Sequence, residues 1–169
     1  MIITRKTTTR EVLNVLNGDQ ITQLIEALQP YPLEVPLLMM SVGDYLRITG
    51  GGEDAMAGLL SEPLAYKAFG RIKQLRKEVE QLTKYLQRYE VVQEPEEVQA
   101  QQGVPFPTPA ERVLTTCVKY YHLHSTAEAE RLPLSDYVMA FKDMASDAIY
   151  QRKLAKIQAR KAKGNGLKR

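Results

Sequence analysis

The sequence predicts an all-α protein. Apolar residues recur at helical three- and four-residue spacing through most of the chain. Capping Ser and Thr residues are followed three positions later by Glu or Asp, and Gly and Pro gather in a few places between these segments. The apolar share, 44% of 169 residues, is enough for a core. The expected organisation is a helical N-terminal domain over 1–90, a Pro/Gln linker over 91–109, and a C-terminal helical part over 110–169.

Ile2-Ile3-Thr4 is a short β-prone start, read as an edge strand or an arm. Thr8 and Glu11 form a capping box ahead of Val12, Leu13 and Leu16, and Asn17-Gly18 ends that helix. Asp19 is expected to cap the next one, whose apolar face is Ile21, Leu24, Ile25 and Leu28, with Pro30 as its stop. Residues 31–36 read as a proline-spaced connector. Ser41 opens a short helix with Asp44 at its third position, and Thr49 and Gly50-Gly51-Gly52 break it. The glycines lack the Gly-Lys-Ser/Thr ending of a phosphate loop and precede Glu53-Asp54, so they read as a turn.

The most regular element is a long helix over 61–90, with Ser61 as its cap and Pro63 in its first turn. Ile72, Leu75, Val79, Leu82, Leu86 and Tyr89 follow 3-4-3-4-3 spacing, the a/d seam of a coiled coil. Such a seam can pack within the chain's own bundle or dock a helix of another copy or a partner. Its short run of bulky heptads favours the first use, because short coiled coils rarely stand alone. The four prolines and many Gln and Glu of 91–109 leave no helical period, and Phe106 between two prolines can pin its own loop or enter a partner's groove.

Thr108-Pro109-Ala110-Glu111 is a capping box with proline at the first helical position, followed by an apolar face of Val113, Leu114, Cys117, Val118 and Tyr121. Ser125 and Glu128 start a short helix ending at Arg131. The last helix is expected near Ser135, with Gly164-Asn165-Gly166 fraying its end. Met40-Ser41-Val42-Gly43-Asp44-Tyr45-Leu46 and Leu134-Ser135-Asp136-Tyr137-Val138 echo each other. The echo is short enough for two independent helix starts that share cap chemistry.

Charge is the most informative feature for function. Residues 148–169 hold eight of the 23 Lys and Arg and none of the 20 Asp and Glu, which leaves 15 basic against 20 acidic side chains in the body. Arg152, Lys153, Lys156, Arg160, Lys161 and Lys163 form the core of this arm, with Arg152, Lys156, Arg160 and Lys163 on one stripe. A basic terminal arm reaches for an anionic partner, either nucleic acid or an acidic protein face. No aromatic follows Tyr150 to stack on bases, so nucleic-acid binding would follow the backbone without reading sequence. Residues 10–28 have the outline of a helix-turn-helix, but its second helix carries no Lys or Arg for phosphates.

No catalytic, cofactor or metal site is expected. His122 and His124 point to different sides of a helix end, and the lone Cys117 lies on an apolar face. The Ser and Thr residues read as caps, and the carboxylate pairs Glu53-Asp54 and Glu96-Glu97 sit in segments that lack preorganisation. No secretory start and no membrane-length apolar run occurs in the sequence, so the expected setting is cytoplasmic.

The stretches Pro109-Ala110-Glu111-Arg112-Val113-Leu114, Ala127-Glu128-Ala129-Glu130-Arg131-Leu132-Pro133-Leu134-Ser135-Asp136-Tyr137 and Ala148-Ile149-Tyr150-Gln151, with the 40–46 helix start, carry a resemblance. The chain resembles small helical tail-assembly or virion-accessory proteins of tailed phages and prophages, particularly those of gut Bacteroidetes. The resemblance implies a non-enzymatic role in particle or tail morphogenesis, with protein partners, in the host cytoplasm or the virion. It transfers no functional residue. The alternative is a small nucleic-acid-binding accessory protein that uses 148–169.

Overall fold

The computed structural model describes residues 4–50, 62–90 and 107–166, with side chains described through Ala162. Among these residues the chain is all-α, with seven α-helices and no strand. They are α1 (Thr9–Val15), α2 (Gly18–Ala27), α3 (Val42–Thr49), α4 (Ala65–Gln87), α5 (Pro109–Tyr121), α6 (Thr126–Arg131) and α7 (Leu134–Gly166). The expected Ile2-Ile3 strand, the Gly51-Gly52 turn with Glu53-Asp54, the Ser61 cap and the 91–106 segment with Phe106 lie outside the described residues.

Local cap chemistry explains most helix starts. Thr8 Oγ1 accepts the Glu11 N–H at 3.3 Å while Glu11 Oε2 accepts the Thr8 N–H at 2.8 Å, and Thr108 with Glu111 repeats the box. The cap of α2 corrects the sequence reading. Asn17 caps it rather than Asp19, because Asn17 Oδ1 accepts the Gln20 N–H at 3.0 Å and Gln20 Oε1 accepts the Asn17 N–H at 3.0 Å. Asp19 instead supplies negative charge to the first turn. Ser41 caps α3 by accepting the Asp44 N–H. The connector before it holds a 3₁₀ turn, Leu37–Met39, which the prolines hid.

The long helix starts later than the sequence suggested. Leu64 is its N-cap, with no side-chain cap bond, and Pro63 lies before the helix. The cause is an antiparallel backbone bridge between Thr8 and Leu64. Thr9 N–H donates to Pro63 O at 2.9 Å, and Ala65 N–H donates to Thr7 O at 3.0 Å. The bridge holds Leu64 extended and satisfies the Ala65 N–H, which the first turn of α4 would leave orphaned. Buried Thr9 adds a bond from Oγ1 to Glu62 O at 2.5 Å.

A second bridge of the same form joins Ser41 and Pro133. Val42 N–H donates to Leu132 O at 2.8 Å, and Leu134 N–H donates to Met40 O at 2.7 Å. This explains why α7 opens at Leu134. It also gives the sequence echo a physical basis: with Asp44-Tyr45 set on Asp136-Tyr137, Ser41 falls on Pro133, its partner in the bridge. The main-chain pairing at Ser41 and Pro133 therefore brings the starts of α3 and α7 together.

Two apolar clusters form the core. The first joins Val12 and Ile25 of α1 and α2 to Ala65, Phe69 and Ile72 of α4. The second joins Leu75 and Leu82 of α4 to Leu37, Val42, Val113, Cys117, Ala129, Leu134 and Tyr137. It draws on residues from both sides of 91–109. Helix α7 continues through Gly166 rather than fraying at Gly164.

Gly70 fixes how the 29–31 connector crosses α4. Its carbonyl accepts the Tyr31 N–H at 3.0 Å, and a Cβ there would lie 2.8 Å from Tyr31 Cβ and 3.0 Å from Gln29 O. Gly70→Ala is expected to destabilise by about 1–2 kcal/mol, the overpacking cost outweighing a helix-propensity gain of about 1 kcal/mol. Urea unfolding measures it; a stabilised variant would show that the connector yields.

Candidate functional site

The six seam residues are used inside the chain. Ile72 is buried in the first cluster, and Leu75 and Leu82 are buried in the second. Val79 and Leu86 pack against the second cluster, and half-buried Tyr89 rests edge-on to Tyr85 with ring centroids 5.3 Å apart. Of the two uses open to this seam, packing within the chain is seen for Ile72, Leu75, Val79, Leu82 and Leu86, and Leu82 also lines a groove at the surface. The seam's spacing signalled burial, and the chain's own helices supply that burial.

The arm residues lie elsewhere. The first half of α7 is core, with Leu134, Tyr137, Ala140 and Ala145 buried. From Gln151 to Ala162 every residue is exposed or half-exposed. Arg152 is half-exposed, and Lys153, Lys156, Arg160 and Lys161 are exposed. The side chain of Lys163 lies outside the described residues. At about 1.5 Å per residue, the stretch from Gln151 to Ala162 extends the helix by roughly 17 Å. The arm is thus a rigid continuation of a core helix.

Concave sites among the described residues include two on the body. The larger, about 670 Å³, lies between α3, α4, α5 and α7 and is lined by Tyr45, Gln87, Arg112, Thr116, Lys119 and Tyr137. Its edges include Glu90 and Pro107, which flank the segment outside the described residues. Burial raises the Tyr45 phenol above its ordinary range. The Tyr137 phenol is pushed up to about 12 by burial first and by Tyr45 and Cys117 after it. Both stay neutral near pH 7. The smaller site, about 410 Å³, is an apolar groove where the 3₁₀ turn meets α4 and α7.

The histidines and the cysteine are dispersed. His122, the left-handed C-cap of α5 with φ 53°, and His124 are both exposed. Among the described residues no group of three or more His, Cys, Asp or Glu is placed to hold a metal ion. Cys117 is fully buried, and burial first and the Asp136 charge second push its thiol up to about 11. No described helix is long and apolar enough to cross a membrane.

The sequence reading missed the apolar groove. Its signal was the run Val35-Pro36-Leu37-Leu38-Met39-Met40, too apolar for a plain connector.

Two outcomes check these placements. Leu75→Ala is expected to lose about 2–5 kcal/mol of stability without lowering an oligomer's mass; a mass change at unchanged stability would restore the intermolecular seam. Because its folded pKa is raised, Cys117 stays a thiol through pH 7–9 and becomes thiolate only as pH approaches about 11. Labelling by a maleimide should therefore wait for unfolding, and prompt labelling of the native protein would contradict the burial. No protein-family model matches the chain, and neither does any curated protein or solved structure with which it was compared.

Proposed function

We propose that this chain is a non-enzymatic assembly protein that works through helix-mediated protein contacts, in phage or prophage particle or tail morphogenesis. The observation that carries the reading is the division of α7. One uninterrupted helix contributes buried core residues as far as Ala145, and beyond Ala148 it is exposed or half-exposed and its charged residues are all Lys or Arg. A rigid cationic rod fixed to a body with an excess of acidic side chains is suited to holding an anionic surface at a set distance. The resemblance of the 109–151 stretches to tailed-phage accessory proteins supplies the setting.

A second reading has its own support. Arg152, Lys156 and Arg160 recur at i, i+4 and i+8 with no carboxylate among them, a spacing that follows a phosphate backbone. On that reading the arm binds nucleic acid without sequence preference.

The test is the light-scattering mass and the 260/280 nm absorbance ratio of protein purified without nuclease, at low and high salt. The full chain is compared with a chain lacking 152–169. The assembly reading expects protein free of nucleic acid at both salts and an unchanged melting temperature after truncation. Co-purifying nucleic acid that leaves at high salt and is lost with the arm would establish the second reading instead.

A further inference from the structure

The apolar groove is lined by Leu37, Leu38, Leu82, Tyr85 and Val138, with a single carboxylate, Glu78. On its side of the body Leu38 and Met39 of the 3₁₀ turn are 46% and 66% exposed. Glu78 is half-buried, and its hydrogen-bond partners are neutral: the Leu37 N–H at 3.3 Å and the Gln74 amide at 2.7 Å. No Lys or Arg pairs with it among the described residues. A carboxylate held in apolar surroundings beside neutral donors is completed by a cation. The groove therefore fits an amphipathic helix with apolar side chains in line and a positive charge at its end.

The chain carries such an edge. Tyr150, Leu154, Ile157 and Lys161 recur at i, i+4, i+7 and i+11, which sets them in one line along α7. Tyr150 and Ile157 are 61% and 50% exposed. This line is a different face from the Arg152, Lys156, Arg160 stripe. It cannot reach the groove of its own chain. Val138 lines that groove, and Leu154 lies farther along the same continuous helix by about 24 Å.

We propose that the groove receives the arm of a second copy, with Tyr150, Leu154 and Ile157 on its apolar wall and Lys161 at Glu78. Reciprocal exchange fills two grooves with two arms in a closed pair. The contact uses a different face of α7 from the basic stripe and does not depend on what the anionic partner is.

The experiment is sedimentation equilibrium at high salt, after nuclease treatment, across the micromolar range. The full chain should show a mass above the 19.1 kDa of one copy. Leu38→Glu and Ile157→Glu change exposed positions, so each should keep its melting temperature and fall to a monomer. Mixed, they should form a one-to-one complex, because the intact arm of the first fits the intact groove of the second. Glu78→Lys should weaken association by about tenfold or more, and adding Lys161→Glu should restore it. A monomeric full chain, an oligomer that survives both Glu substitutions, or a mixture that stays monomeric would each overturn the proposal. Because nucleic acid is removed beforehand, none of these outcomes bears on the anionic-partner reading.

Discussion

The structure depends on α4 serving two cores at once. Ala65, Phe69 and Ile72 in its first turns close the cluster with α1 and α2. Leu75 and Leu82 close the cluster with the 3₁₀ turn, α3, α5, α6 and α7. The two helices of the first group are short, and helices of two to three turns are marginal without tertiary packing. The seam is the shared wall that both need. This is why a pattern suited to a coiled coil finds its partners within one chain.

Fixing α4 in place requires polar contacts at its first turns, and Arg71 supplies several. Its guanidinium donates to Glu62 at 3.1 Å and Glu34 at 2.8 Å and lies over the Tyr31 ring at 5.7 Å. Arg71 and Glu62 are mostly covered, so the pair works as a buried clamp, whereas Glu34 is open to water. Together with the close passage at Gly70, the clamp ties both flanking connectors to one turn of helix. Thr8 and Leu64 then align the starts of α1 and α4.

Much of this was legible in the residues. The helix class, the seam and the caps at Thr8, Ser41, Thr108 and Ser125 follow from short-range rules that sequence states directly. Two readings failed for different reasons. The start of α4 at Ala65 is set by a long-range bond to Thr7, whereas Asp19 lost the cap to a competing local signal, Asn17 answered three residues on by Gln20. The pairing of Ser41 with Pro133 was half visible, as an echo with no geometry attached. The groove was missed because its residues come from three elements, and the apolar run around Leu37 and Leu38 marks only one of them.

The two backbone bridges have a consequence for how the chain can be divided. In sequence order their members alternate: Thr8, Ser41, Leu64, Pro133. The loops they close are therefore interleaved, like the crossed brackets of a pseudoknot. A cut anywhere between Ser41 and Leu64 separates both pairs at once, and no single contiguous fragment retains one bridge without part of the other's loop. The apolar residues fall into two clusters, but the main-chain pairing does not divide along the same line.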